Sequence, residues 1–426
     1  VTPTEPTQPE QPTTPSEPET PTTPSEPEQT KCDLYVSPSG KSTAAGTQNA
    51  PMDLLTAINS ISAGYTIWME EGTYKAYELY GAPIVIAESN SGAEGAYKTI
   101  SSINGGTVTI DFSGMAELGS NRGIVLDGSY WHFYDIDICN AGDNGMLLSG
   151  DNNIIELCQF YANHDSGLQI SRYNTSADTI DLWPSNNVIL NCTAFDNKDE
   201  ATCENADGFA AKLTCGEDNK FYGCISHNNI DDGWDLYAKS VSGEIGAVTI
   251  ENCVTYNNGW LTTDDVTAKG YEYGEGNGFK LGGGQMKGAH VLKNSISFDN
   301  HAKGITSNSC PDCKIINCIS YNNSLDNSAY NVGLNTKDSN IKAWEVTGLI
   351  SLNNSKNTKL EDLIPFALHS ENNYIYDGAA SYNNKGEQAT EDWFENVDTS
   401  VKPTRNEDGT INMHNLLLLK DTSKNT

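Results

Sequence analysis

From about residue 104 the chain repeats itself, and the repeat limits what it can fold into. One recurring unit runs apolar-x-x-Cys, a few residues, then Asn: "NNIIELCQFYAN", "NNVILNCTAFDN", "NKFYGCISHNN", "VTIENCVTYNN", "HVLKNSISFDN" and "CKIINCISYNN". Its small core position is Cys158, Cys192, Cys224, Cys253, Ser295 and Cys318, with Cys139 of "YDIDICNAGDNG" opening the series. A second unit, Gly-apolar-x-apolar, follows each Asn: "GMLL", "GLQI", "GFAA", "GWDL", "GFKL" and, more loosely, "GITS" and "GLNT". The glycines are Gly145, Gly167, Gly208, Gly233, Gly278, Gly304 and Gly333, at intervals of 22 to 29 residues with two longer ones of 41 and 45. A propeller blade needs about 40 to 45 residues, and a leucine-rich repeat would carry a leucine scaffold that is missing. The expectation is an all-β fold, a right-handed parallel β-helix, in which each short strand pairs with its equivalent one coil away at about 4.8 Å. The cysteines then form an inward ladder of small packing residues, and the asparagines a hydrogen-bonding ladder at the turns. The long intervals place loop insertions at 172–187 and 257–276 on one face, where solenoids bind their ligands.

Ahead of the repeats, "PMDLLTAINSI" carries Leu54, Leu55, Ile58 and Ile61 at helical spacing and reads as an N-terminal capping helix. "GYTIWMEEGTYK" reads as strand, turn at Gly72, strand. Residues 1–31 differ in kind. Proline stands at every third position from Pro3 to Pro27, among Thr, Ser, Glu and Gln, as in an extended polyproline II stalk. The division expected is a linker at 1–31 and a β-helix at 32–426, a processed portion of a larger multimodular secreted chain that acts as a monomer. Eleven cysteines cannot all pair within the chain. Cys203 with Cys215, and Cys310 with Cys313 in "CPDC", are candidate disulfides. "CPDC" could instead be half of a zinc site, although no second CxxC completes four ligands.

With 25 Lys and Arg against 57 Asp and Glu, the formal net charge is −32. Nucleic acid is excluded as a partner, because phosphate recognition needs clustered cations. No apolar run reaches the roughly 18 to 20 residues of a membrane-spanning helix. An acidic substrate would need metal ions to bridge it to the protein.

Against this background "HNNIDDGWDLYAK" crowds Asp231, Asp232 and Asp235 into five positions. Aligned on the glycines, the position before Gly runs Asn144, Ser166, Asp207, Asp232, Asn277, Lys303. The position two after it runs Leu147, Gln169, Ala210, Asp235, Lys280, Thr306, Asn335. Asp207 therefore stacks on Asp232 with Asp231 beside them, and Asp235 neighbours Lys280. Four carboxylates converging at one spot repel unless a cation joins them. Calcium takes six to eight hard oxygen ligands, whereas magnesium usually keeps most of its waters. The lack of His and Cys at these positions argues against zinc or copper. Such a calcium could serve chemistry or only staple two coils. Lys280 could be a general base with its pKa lowered by the cation, or an ordinary salt-bridge partner of Asp235. Trp234, next to Gly233, should point into the core.

"ENADGFAAK", "NNIDDGWDLYAK" and "GNGFKLGG", in this order, resemble the signature of polysaccharide lyase family 9, the parallel β-helix pectate lyases, and the resemblance covers most of residues 32–426. It implies that Asp207, Asp231, Asp232 and Asp235 bind Ca2+ and that Lys280 is the catalytic base. The implied reaction is β-elimination in polygalacturonate or pectin: calcium acidifies the C5 proton, Lys280 removes it, and the C4–O bond breaks to leave a 4,5-unsaturated sugar. Arg172 and Lys303 are candidates for binding substrate carboxylates. The rival readings are a lyase for another uronate polymer, a β-helix glycoside hydrolase using carboxylates and water, and a non-catalytic carbohydrate-binding β-helix with structural calcium.

Overall fold

The computed structural model describes residues 31–199, 201–262, 275–324, 330–335, 343–354 and 360–425. The linker reading thus falls almost wholly outside the described residues, as does most of the second insertion. Leu34–Val36 opens a parallel sheet of eleven strands ending at Glu345–Thr347. A second parallel sheet of ten runs from Gly72–Lys75 to Ile350–Leu352, and a third, of nine, from Ile84–Ile86 to Val332–Gly333. The chain visits the sheets in rotation, as in Trp131–Tyr134, Asp137–Cys139 and Met146–Leu148, so each coil adds one short strand to each. This is a parallel β-helix.

Local sequence sets the corners. The residue entering the second sheet is left-handed in coil after coil: Asp135, Leu157, Asn191, Gly223, Asn252, Asn294, Asn317 and Gly348. Asn, Asp and Gly pay least for that conformation. The next residue points inward, and Cys158, Cys192, Cys224, Cys253 and Cys318 are all fully buried there. One correction concerns the start of this column. Gln159 pairs with Asp137 and Tyr161 with Cys139, so Ile136 occupies the cysteine position and Cys139 lies three residues further on. The left-handed Asp135 sets the phase, not the thiol.

At the entrance to the third sheet the asparagine ladder is continuous. Asn163 Nδ2 donates to Asn197 Oδ1 at 2.9 Å, Asn197 to Asn229 at 2.8 Å, Asn229 to Asn258 at 3.0 Å, Asn258 to Asn300 at 2.8 Å, Asn300 to Asn323 at 2.8 Å and Asn323 to Asn331 at 3.0 Å. The last link brings a second correction. Because Asn331 answers Asn323, the final coil begins two residues early: Val332 pairs with Ile305 and Gly333, not Asn335, with Thr306.

The predicted cap is present as Leu54–Ser60, with Asp53 accepting the Thr56 N–H at 3.0 Å. Trp234 is fully buried between Phe209 and Phe279, at ring-centroid distances of 5.1 and 5.0 Å. Neither candidate disulfide is formed. Cys203 packs with Ala206 and Ile230, whereas Cys215 belongs to the main core. Cys310 and Cys313 meet in the core as two thiols. Among the described residues the cluster of metal-ligating groups is formed by aspartates, with no Cys or His, so "CPDC" has no zinc partners.

After the last coil the chain adds a small antiparallel sheet, Ile375–Tyr376, Ser381–Tyr382 and Gln388–Ala389, and a hairpin, Thr404–Arg405 with Ile411–Asn412. The hairpin reaches back along the coils: the Arg405 guanidinium donates to the carbonyls of Cys192 at 2.6 Å and Gly223 at 2.5 Å. The insertion at 172–187 leaves after the third-sheet strand Leu168–Ile170, and the stretch from 257 enters before the third-sheet strand Phe279–Lys280. The first thus leaves at the C-terminal ends of the third-sheet strands and the second stretch precedes their N-terminal ends.

Candidate functional site

Three carboxylates meet on the outer face of the third sheet. Ala210, Asp235 and Lys280 are paired in register on successive third-sheet strands, and side chains alternate along a strand. Asp235 and Lys280 therefore share the outward side, opposite Trp234 and Phe279. Asp207 and Asp232 stand just before the glycines of adjacent coils, and the Asp232 N–H donates to Asp207 Oδ1 at 3.3 Å. One oxygen from each of Asp207, Asp232 and Asp235 lies within 4.8 Å of the others. Asp231 is placed alongside but oriented differently: its oxygens accept the backbone N–H groups of Asn205 at 2.9 Å and Glu275 at 3.0 Å.

Lys280 Nζ lies 2.9 Å from Asp232 Oδ2, 3.5 Å from Asp235 Oδ2 and 3.9 Å from Glu275 Oε2. Asn277 donates to Asp232 Oδ1 through both its backbone and its side-chain nitrogen, each at 2.7 Å. Lys280, Asp235, Asp231 and Glu275 border a cavity of about 270 Å³ with Tyr237, Lys239 and Glu204 on its rim. Tyr237 can lie there because position 283 is glycine: a Cβ would come 2.0 Å from its ring.

The electrostatics are those of an overcrowded acidic site. Burial, offset in part by Lys212 and reinforced by Asp235 and Asp232, pushes the Asp207 carboxyl up to about 7. Burial and the neighbouring aspartates raise Asp231 well above the ordinary carboxylate range. Burial would lower the Lys280 pKa, but the charges of Asp232, Asp235, Asp231 and Asp207 outweigh it and hold the ammonium well above the ordinary lysine range. A cation held by these aspartates would oppose that effect and lower the lysine's pKa. The donor set itself fits a hard dication. Asp235 Oδ1 is buried with no hydrogen-bond donor, and Asp232 Oδ2 has only the ion pair with Lys280, without hydrogen-bond geometry. A buried carboxylate oxygen left unmatched costs several kcal/mol unless a cation meets it.

Of the other predicted residues, Lys303 stands one coil beyond Asn277 in the column of Asp207 and Asp232, and its backbone N–H donates to Asn277 Oδ1 at 3.2 Å. Arg172 is not brought into the cluster. It borders a separate cavity of about 220 Å³ with Asp127 and Asp151, and its guanidinium donates to the Ala177 carbonyl. Sequence reasoning missed Lys212, whose Nζ lies 2.7 Å from Asp207 Oδ2, and also Tyr237 and Glu275. Strand parity could have found two of these. Lys212 is two residues beyond Ala210 and Tyr237 two beyond Asp235, so both share the outward side. Glu275 lies at the end of the long insertion and has no periodic signal.

Fold and site together define a parallel β-helix protein with a buried aspartate cluster beside a cleft on its third sheet. The chain belongs to the Pel9A-like family, whose right-handed β-helix region matches residues 34–357. It is similar to "Pectate lyase L" of Thermoclostridium stercorarium, 42% identical over 85% of this chain and 28% of that protein. It is also similar to "Pectate lyase L" of Paenibacillus polymyxa (strain SC2), 37% identical over 91% of this chain and 81% of the relative. This chain thus spans little more than a quarter of the Thermoclostridium protein. Among solved structures, that of pectate lyase Pel9A superposes with a TM-score of 0.74 at 28% identity, covering 92% of this chain and 90% of that one.

Proposed function

We propose that the chain is a secreted, calcium-dependent pectate lyase that cleaves polygalacturonate by β-elimination with Lys280 as the base. One observation carries the reading: Lys280 Nζ lies 2.9 Å from Asp232 Oδ2 and 3.5 Å from Asp235 Oδ2, at a cavity that Lys280 and Asp235 both line. A staple between coils needs no lysine there. The names of the relatives support the substrate class. Asp207, Asp232 and Asp235 would hold the ion, with Asp231 as a further carboxylate beside them. When bound, calcium withdraws electrons from a uronate carboxylate and acidifies the proton on C5.

Lys280 can serve as a base only when the negative charge of the surrounding aspartates is compensated, because otherwise they keep it protonated. The neutral amine takes the C5 proton, the freed electron pair forms the C4–C5 double bond, and the C4–O bond breaks with its electron pair going to the oxygen of the departing chain, which takes a proton from solvent; no water is consumed. Lys303 and Arg172 would take substrate carboxylates on either side. Arg172 lies three coils from Lys280, about 14 Å along the axis.

The test follows the ultraviolet absorbance of the unsaturated product from polygalacturonate at alkaline pH. Calcium should support the rise and a chelator abolish it. Lys280→Ala should lower kcat by at least about a hundredfold while calcium still binds. Reducing ends without unsaturation would indicate a hydrolase, and binding without cleavage a carbohydrate-binding β-helix.

A further inference from the structure

Lys212 enters the same cavity as Lys280 from the opposite side of Asp235. Its Nζ lies 2.7 Å from Asp207 Oδ2, 3.4 Å from the Asn205 carbonyl oxygen and 3.6 Å from Asp235 Oδ2. Three ammonium donors thus face three acceptors. Asp235 Oδ2 sits between two lysines, with Lys280 at 3.5 Å. The side chain of Lys212 is 8% exposed and Lys280's 11%, so each presents little more than its tip to the cleft. The elimination described above gives Lys212 no role.

Its place in the charge balance does. Asp207, Asp231, Asp232 and Asp235 together carry four negative charges when ionised. A dication leaves two uncompensated, at the spot where an anionic polymer must approach a chain of net charge −32. Lys280 must give up its charge to act as the base, so Lys212 is the cation of this cluster that the reaction leaves in place. It is anchored within its own coil, five residues from Asp207, on the side of the cluster away from Lys280.

We propose that Lys212 is the charge-compensating residue of the site, a fixed cation that loosens the cluster's hold on the metal and admits a polyanionic substrate. The inference rests on the proposed lyase reading. It predicts two effects of opposite sign. Lys212→Met keeps the length and removes the charge, so the affinity for calcium, or for terbium followed by luminescence, should tighten. At the same time KM for polygalacturonate at low ionic strength should rise with kcat little changed. Each shift should be at least about tenfold, the size expected of a unit charge acting over a few ångströms at a surface-like dielectric. Lys212→Arg should restore KM.

Lys212→Gln, whose amide can still donate to Asp207, should show the same two signs if the methionine variant folds poorly. Metal and substrate binding weakening together would make Lys212 a mere anchor for Asp207 and overturn the proposal, as would no change in either. If the wild type binds metal but releases no unsaturated product, the lyase reading fails. The metal titration then decides alone: tightening in Lys212→Met supports charge compensation, and weakening or no change refutes it.

Discussion

His290 stands where other first-sheet coils place an amide. In this column the Asn153 N–H donates to Asn187 Oδ1 at 2.9 Å, and Asn187 Nδ2 donates to Asn219 Oδ1 at 2.9 Å. Further along, the Val248 N–H donates to His290 Nδ1 at 3.2 Å. That bond requires a neutral ring, and burial lowers the imidazole from 6.5 to about 4. Below the ordinary value the unfolded chain takes up a proton that the folded chain refuses, so acid favours unfolding across this window. The loss should reach about 3 kcal/mol. His290→Asn keeps an acceptor for Val248 without the titration, so its unfolding free energy in urea should fall less than the wild type's between pH 6.5 and 4. Equal losses in both proteins would refute the assignment. At this scale the sequence was most legible where residue type and periodicity agreed. Asp207, Asp232, Asp235 and Lys280 stood out because charge interrupts columns that, apart from Lys303, are otherwise neutral. Lys212 escaped because its partner is in its own coil, which a comparison between coils does not examine.

The two ladders differ in how much they can tolerate. Each asparagine amide both donates and accepts inside the protein, so losing one leaves several buried groups unmatched. Asn258→Ala removes the acceptor of Asn229 and the donor to Thr255 and Asn300. It should cost about 3 kcal/mol or more in chemical denaturation. The cysteine ladder already contains a substitution: Ser295 accepts the Cys253 N–H at 3.1 Å and donates to the Lys293 carbonyl at 2.8 Å. In the preceding coil Cys253 fills the same role, toward Cys224 and Glu251. Cys253→Ser should therefore stay within about 1 kcal/mol of wild type, and a larger loss would show that thiol packing matters more than its hydrogen bonds. The strand columns could be read from apolar periodicity, but their ends could not. Cys139 matches the motif chemically while Ile136 matches it geometrically, and only the left-handed corner residue tells them apart. The C-terminal hairpin has no repeat, so nothing in its spacing foretold that Arg405 would cross back to coils some 200 residues earlier.

Among the described residues a main hydrophobic core runs along the coils, with a second cluster beside the C-terminal segment, and apart from Val1 and its prolines the stretch 1–31 has no apolar side chains with which to join them. A chain beginning at Lys31 should melt at the same temperature as the full chain and, on the proposed lyase reading, cleave polygalacturonate at the same rate. A lower melting point would mean that the proline-rich stretch packs against the β-helix. The large negative charge could be read from composition, yet composition could not show how it is distributed. Four aspartates and two lysines are concentrated within a few ångströms, and only the coil alignment brings them there.

The likeness of the coils also bears on how the chain finds its fold. Successive strands carry nearly interchangeable inward residues, so a strand docked one coil out of place still buries a cysteine, an asparagine and an aromatic ring. Such a slipped chain would keep most of its strand content and compactness while separating Asp207 from Asp232 and Lys280 from Asp235. The unequal coil lengths and the mismatched members of the columns, His290 among the amides and Ser295 among the thiols, mark individual coils and oppose that degeneracy. On the proposed reading, refolding yield is then counted properly by cation binding, because spectroscopic measures of strand content would score slipped and native chains alike.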